Sequence, residues 1–195
     1  QLPYRAATIS GSAVRPVLRG RNAPVVGLLF TGQGAQYAGM ARELYDSEAV
    51  YRDMFDRCSA AIGRDLNAIF ADDEALTRTR NTQPALGALT LSVAALWRSW
   101  GIRPAAVAGH SVGEIAAAAF AGCLSIEDAM GLLATRGELM DSLPDGGAMA
   151  AVKAGEDRVV PFLADGASLA GLNHPEETVI SGESAAIDAT LAALP

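Results

Sequence analysis

The chain has 195 residues, half of them hydrophobic and 19% charged, with a formal net charge of −7. A chain of this size can bury about 70% of the surface its unfolded form exposes, and its apolar content is too high for a disordered protein. Its acidic balance argues against a nucleic-acid binder, which needs clustered cations to neutralise phosphates. Cys58 and Cys123 lack metal-ligand spacing and His110 and His174 are the only histidines, so no metal site is expected. Two cysteines without a secretory leader read as reduced thiols of a cytoplasmic protein. No apolar run reaches the ~18 residues of a membrane span, so no membrane contact is expected.

Residues 1–23 read as a tail, with one strand over 4–9 and an Arg/Gly/Ser/Pro-rich remainder. The chain has no initiator Met and ends where a helix ends, and both ends are expected to be cut from something longer. The continuous apolar run 25–30 predicts a strand buried on both faces. It gives way to a glycine-rich loop over 31–36. Residues 38–62 have helical spacing, anchored by Met40, Leu44, Val50, Phe55 and Ile62. A turn of helix is expected over 65–70, and 72–82 is polar. Residues 83–100 predict a strong helix with Pro84 in its first turn and Leu86, Leu89, Val93, Leu96, Trp97 and Trp100 on its apolar face.

A second buried strand is expected over 105–108, a small-residue helix over 114–121 and another helix over 125–142. The last opens on a capping-box-like Ser125-Ile126-Glu127-Asp128, with Asp where Glu or Gln is usual. Strand, helices, strand, helices is the pattern of an α/β fold with a parallel sheet. The rest changes character: strand 148–153, helix 156–163, strand 168–173, turn 174–177, strand 178–181 and helix 184–194. That β-α-β-β-α order is a ferredoxin-like unit short of its last strand.

Gly109-His110-Ser111-Val112-Gly113 matches G-x-S-x-G between an expected strand and an expected helix. A nucleophile elbow has this context: a sharp turn that lifts the serine hydroxyl to a helix N-terminus, where N–H groups favour developing negative charge. The small residues Gly109 and Gly113 suit such a turn, Ser111 is the candidate nucleophile, and the Val112 N–H is one candidate oxyanion donor. A plain strand-to-helix turn has the same composition. The loop Thr31-Gly32-Gln33-Gly34 is placed to supply a second donor. It is not a Walker A loop, lacking G-K-[ST], nor a dinucleotide loop, since Tyr37 stands where the third glycine belongs.

Taken together, five stretches resemble the acyltransferases that load acyl-carrier proteins, a family of malonyl-CoA:acyl-carrier-protein transacylases and polyketide synthase acyltransferase domains. They are FTGQGAQYAGM (30–40), TQPAL (82–86), GHSVGE (109–114), RGELM (136–140) and VISGE (179–183), in the family's order and spacing. The wording is closer to modular polyketide synthases. The resemblance implies an α/β-hydrolase-like large subdomain over 24–146 and a ferredoxin-like small subdomain, incomplete, over 147–195. It implies that 1–23 is the remnant of a ketosynthase–acyltransferase linker.

The resemblance also implies roles. Ser111 would carry the acyl ester, Gln33 and Val112 would give the oxyanion N–H groups, and Gln83 and His110 would line the site. Arg136 would bind the free carboxylate of a malonyl or methylmalonyl group, and Val112, after the nucleophile, goes with malonyl. An exposed Arg136 paired with Glu138 or another neighbour is the plain alternative. The expected substrate is malonyl-CoA (or methylmalonyl-CoA), with no bound cofactor. The expected partners are an acyl carrier protein with its phosphopantetheine and a neighbouring ketosynthase. Neither His110, beside the nucleophile in a tight elbow, nor His174, in a small-subdomain turn, is expected to be the general base, which the family places after the last strand of that subdomain. A serine esterase or thioesterase has the same elbow but needs neither Arg136 nor the β-α-β-β-α tail. A non-catalytic fragment or docking module of a larger synthase is the other alternative.

Overall fold

A computed structural model describes residues 25–34 and 36–195, together with the backbone of a short antiparallel pair, β1 (Tyr4–Arg5) and β2 (Val17–Leu18). The expected strand over 4–9 is described only in its first two residues; 6–9 and the rest of the tail other than Val17–Leu18 lie outside the described residues. The chain divides into two compact units between Asp141 and Ser142.

In the first unit β3 (Gly27–Phe30) and β4 (Ala106–Gly109) pair in parallel, with Phe30 opposite Gly109. Both were expected to be buried strands, the first on two faces; the structure buries one face of β3 and only half-buries alternate residues of β4. Leu28 and Phe30 face the core, whereas Leu29 is 84% exposed, because helices cover only one side of this pair among the described residues.

The helical stretch after the loop is two helices, α1 (Arg42–Ser47) and α2 (Ala49–Ile62), separated by Glu48 in extended conformation. The core face of α2 is Tyr51, Phe55 and Cys58, so Val50 points outward rather than anchoring the helix. Burial pushes the Cys58 thiol up to about 12, and it packs as a small apolar group. The expected helical turn is α3 (Leu66–Phe70), and the polar segment holds a further helix, α4 (Asp73–Thr77); their caps explain both. The Asp65 carboxylate accepts from the Ala68 N–H, and that of Asp72 from the N–H groups of Glu74 and Ala75.

The central helix α5 (Thr79–Ser99) begins four residues earlier than its sequence suggests, leaving Pro84 inside it. Proline removes the N–H that would bond the carbonyl four residues back. That carbonyl belongs to Arg80, and the Arg64 guanidinium donates to it at 2.8 Å. α6 (Val112–Ala121) and α7 (Ile126–Asp141) complete the unit and pack on α5. At the start of α7 the Ser125 hydroxyl accepts from the Asp128 N–H (2.9 Å) and donates to its carboxylate (2.7 Å), so the shorter acid closes the box on the side chain.

The buried face of α5 is made largely of small residues: Thr82, Ala85, Gly87, Ala88, Ser92 and Ala94. Trp97 and Trp100 do not join it; Trp100 is 62% exposed. The small residues bring helices close. A Cβ on Gly87 would lie 2.3 Å from Leu133 Cδ1, and one on Gly137 would lie 2.9 Å from the Thr79 carbonyl.

The second unit is a three-stranded antiparallel sheet of order β5-β7-β6, formed by β5 (Gly147–Val152), β6 (Ala167–His174) and β7 (Glu177–Glu183). Helices α8 (Glu156–Val159) and α9 (Ser184–Ala193) contribute Val159 and Ile187 to a core around Ile180. The expected helix over 156–163 is one α turn followed by a 3₁₀ turn, Val160–Phe162, with Pro161 at its start.

Close helix packing is testable by a double-mutant cycle. Gly87→Ala should cost about 1–3 kcal/mol of overpacking, partly offset by about 1 kcal/mol of helix propensity, and Leu133→Ala about 2–5 kcal/mol. Because the new methyl would occupy the space of Leu133 Cδ1, the double variant should be more stable than the sum predicts, by about 0.5–3 kcal/mol in urea denaturation. Strict additivity would mean that the two positions do not compete for space.

Candidate active site

The site is built on the junction of β4 and α6. Ser111 stands between them with φ 54° and ψ −112°, the one non-glycine residue with positive φ among the described residues. Such a conformation persists only when its surroundings over-determine it. Here they do. A Cβ on Gly109 would lie 2.2 Å from the Gly113 carbonyl group, and one on Gly113 would lie 2.1 Å from the Phe30 oxygen. The elbow therefore presses its own two arms together and presses α6 onto the end of β3. The Gly113 N–H donates to the His110 carbonyl (2.9 Å), and the Glu114 N–H to that of Ser111 (3.0 Å), closing the first turn.

This turn leaves the Val112 N–H, at the first position of α6, without a protein acceptor among the described residues. The register of the sheet brings the loop after β3 to the elbow. His110 N–H donates to the Phe30 carbonyl at 3.1 Å, so the loop after β3 departs where the elbow begins. Gly32 packs under the His110 imidazole; a Cβ there would lie 2.8 Å from Nδ1. In this loop the Gly34 N–H is occupied by the Gln36 side-chain oxygen at 2.9 Å, whereas that of Gln33 has no protein acceptor among the described residues. The loop is pinned farther on, where Ala38 N–H donates to Asp73 Oδ1 and Gly39 N–H to the Phe70 carbonyl.

Arg136, on α7, donates from Nη2 to Ser111 Oγ at 3.2 Å and from Nη1 to Gln83 Oε1 at 2.7 Å. Gln83, on α5, is fully buried. The structure thus joins Ser111, Arg136 and Gln83, three positions far apart in the chain. Arg136 makes no ion pair among the described residues. The anticipated alternative, pairing with Glu138, does not occur. Residues two apart on a helix do not face each other, and Glu138 pairs with Arg64 instead. Asp141, one turn farther along α7, pairs with Arg80. These pairs, with the Arg64 bond to the Arg80 carbonyl, brace α7 against α5 and the turn between α2 and α3 around Arg136, and no local pattern in the sequence marked them.

His110 is exposed and makes no side-chain hydrogen bond to Ser111 among the described residues. His174 has a local role: its Nδ1 accepts from the Glu176 N–H at 3.1 Å in the turn between β6 and β7. Glu114 is an exposed first-turn acid of α6. No group of three or more candidate metal ligands exists among the described residues, and none of their helices is long and apolar enough to cross a membrane.

A serine at positive φ in a strand-to-helix elbow, open N–H groups on the elbow and on the loop after β3, and an arginine on the serine oxygen form one constellation on an α/β fold. Residues 28–194 match the family profile of the acyl transferase domain, and the chain belongs to that family. It is 45% identical over 168 residues to the phenolphthiocerol synthesis polyketide synthase type I Pks15/1 of Mycobacterium marinum, covering 83% of this chain and 8% of that protein. Its fold matches the acyltransferase domain from the second module of the salinomycin polyketide synthase with a TM-score of 0.89 and 43% identity, over 98% of this chain and 51% of that one. The malonyl CoA-acyl carrier protein transacylase from Coxiella burnetii matches with a TM-score of 0.80 and 36% identity, over 85% of this chain and 56% of that one. The chain therefore spans about half the length of these solved relatives.

The positive φ of Ser111 gives a prediction about stability. Ser111→Gly should relieve backbone strain, of order 1–3 kcal/mol at such sites, while Ser111→Ala keeps it. Ser111→Gly should therefore have the higher denaturant midpoint of the two, although both lose the hydroxyl. Equal midpoints would show an unstrained elbow.

Proposed function

We propose that this chain transfers a malonyl-type acyl group from coenzyme A to Ser111 and from there to the phosphopantetheine thiol of an acyl carrier protein. One observation carries the reading: the Arg136 guanidinium lies on the Ser111 oxygen, held by a neutral amide and unpaired with any described carboxylate. In a malonyl ester on Ser111 the free carboxylate is two carbons from the ester carbonyl, within reach of a group already touching Oγ. The planar fork of arginine suits that carboxylate. An esterase or thioesterase has no use for such a clamp.

The chemistry is two acyl exchanges. Ser111 Oγ attacks the thioester carbonyl and loses its proton to a base. The oxyanion of the tetrahedral adduct is met by the N–H groups of Gln33 and Val112, where the α6 dipole also favours negative charge. The C–S bond breaks, the coenzyme A sulfur takes a proton, and the acyl group rests on Ser111. A carrier-protein thiol then attacks the ester in the reverse sense and regenerates Ser111. His110, packed on Gly32, shapes the loop that presents Gln33.

Neither histidine of the chain is the base in this reading: His110 lies over Gly32, and His174 holds the turn of its own subdomain. The base comes from a part of the family fold outside these residues, in keeping with a chain that spans about half of its solved relatives. Val112 after the nucleophile supports malonyl over methylmalonyl, although one methyl group in an apolar pocket is worth only about 1–3 kcal/mol. The neighbouring partner is a ketosynthase, the segment 1–23 is the linker toward it, and the two free cysteines suit the reducing cytoplasm.

Mass spectrometry of the full-length protein after incubation with acyl-CoA tests the reading. Malonyl-CoA should leave an adduct on Ser111 that Ser111→Ala abolishes, and should outcompete methylmalonyl-CoA. Arg136→Ala should slow malonyl loading about tenfold or more, the size of one charge-assisted hydrogen bond, and spare acetyl loading. Equal losses for both acyl groups would remove the carboxylate role. His174→Ala should leave the loading rate within about twofold of wild type, since it removes only a contact within the turn of its own subdomain. Loss of activity in that variant would make His174 the base.

A further inference from the structure

One contact beside Arg136 has no part in the acyl-transfer steps. Gln83 is fully buried, and both ends of its amide are engaged. Oε1 accepts from Arg136 Nη1 at 2.7 Å, and Nε2 donates to the sulfur of Met140 at 3.0 Å. A guanidinium can only donate hydrogen bonds, and a thioether can only accept them. Rotating the amide by half a turn would set its NH2 against the guanidinium and its oxygen against the sulfur, losing both contacts together. Arg136 and Met140 therefore select the same one of two orientations.

Met140 lies one turn after Arg136 on α7, so the two side chains share a helix face and reach the same amide. Its side chain is not a core element: the residue is 43% exposed. Its sulfur, rather than its apolar area, is what meets a buried group.

We infer that Met140 is a positioning residue for acyl selection: its sulfur locks the Gln83 amide with the carbonyl toward Arg136, and so holds the guanidinium in the pose that addresses the acyl carboxylate. The inference rests on Arg136 being the carboxylate clamp. Without the sulfur, the amide loses what distinguishes its two orientations at that end, and in the flipped state it repels the guanidinium. A carboxylate needs the fork in one geometry. An acetyl group does not use the fork, so its loading is insensitive to the amide.

The test compares malonyl-CoA and acetyl-CoA loading in the full-length protein for wild type, Met140→Leu, Met140→Gln and Arg136→Ala. Met140→Leu keeps the volume and removes the acceptor; it should lower the malonyl-to-acetyl ratio of kcat/KM about tenfold, mainly through the malonyl KM. Met140→Gln restores an acceptor oxygen and should return the ratio to within about threefold of wild type. A parallel loss for both acyl groups, an unchanged ratio in Met140→Leu, or no rescue by Met140→Gln would overturn the inference. A further measurement needs no variant: in the wild-type protein the Gln83 side-chain amide protons should exchange slowly and show a through-space NMR contact to the Met140 methyl. Fast exchange without that contact would overturn it too. If Met140→Leu leaves the ratio intact while Arg136→Ala collapses it, only the role of Met140 falls. If Arg136→Ala also leaves the ratio intact, the clamp itself falls and the inference with it.

Discussion

The site depends on one backbone contact, the seating of Gly113 against the carbonyl of Phe30. There is room for a hydrogen and not for a methyl group, since a Cβ on Gly113 would lie 2.1 Å from that oxygen. This approach fixes where α6 begins relative to β3. Ser111 is then held at φ 54° because the strand before it and the helix after it are both committed. The same approach brings the loop after Phe30 alongside the elbow, where Gly32 packs on His110. The strain at Ser111 and the exposure of its hydroxyl are therefore consequences of a single packing constraint.

Electrostatics makes the second half of the site. The described arginines on the first unit are mostly engaged by carboxylates or backbone carbonyls: Arg57 with Glu127, Arg64 with Glu138, Arg80 with Asp141 and Arg98 with the Phe120 carbonyl. Arg136 is held by an amide oxygen. The difference matters for binding an anion. A carboxylate partner would largely satisfy the guanidinium before a substrate arrived, whereas an amide fixes its direction and leaves its full charge available. In a chain of net charge −7, such a cation is felt by an anion only at close range, because exposed charges more than about 10 Å apart are largely screened at ordinary salt.

Holding Arg136 over Ser111 also requires that α5 and α7 be close. Gly87 and Gly137 permit this, and the Arg64 bond to the Arg80 carbonyl keeps α5 intact through Pro84, whose missing N–H would otherwise leave that carbonyl without a partner. The helix can thus start at Thr79 and carry Gln83 on its inner face. The small residues of α5, not the apolar positions that marked it as a strong helix in the sequence, let α7 come close enough to set Arg136 on Ser111.

The sequence by itself determined the elbow, the glycine-rich loop and the two-part α/β then β-α-β-β-α order. These are local features: a sharp turn demands small residues at fixed offsets, and a period of apolar side chains reports a strand or helix. It did not determine which faces are buried. Val50, Trp97 and Trp100 are apolar at helical spacing and yet point outward, while Thr82, Gln83 and Ser92 are buried, because burial is decided by the element packed opposite. Arg136 and Gln83 could be named only through resemblance. What joins them to Ser111 is the close approach of α5, α6 and α7, and contacts between residues 53 and 25 positions apart leave no periodic trace in a chain. Only the tertiary structure decided that Glu138 turns to Arg64, that Met140 meets the Gln83 amide, and that Arg136 pairs with no described carboxylate. Each of these is a choice among several nearby partners, and distance in the folded state makes it.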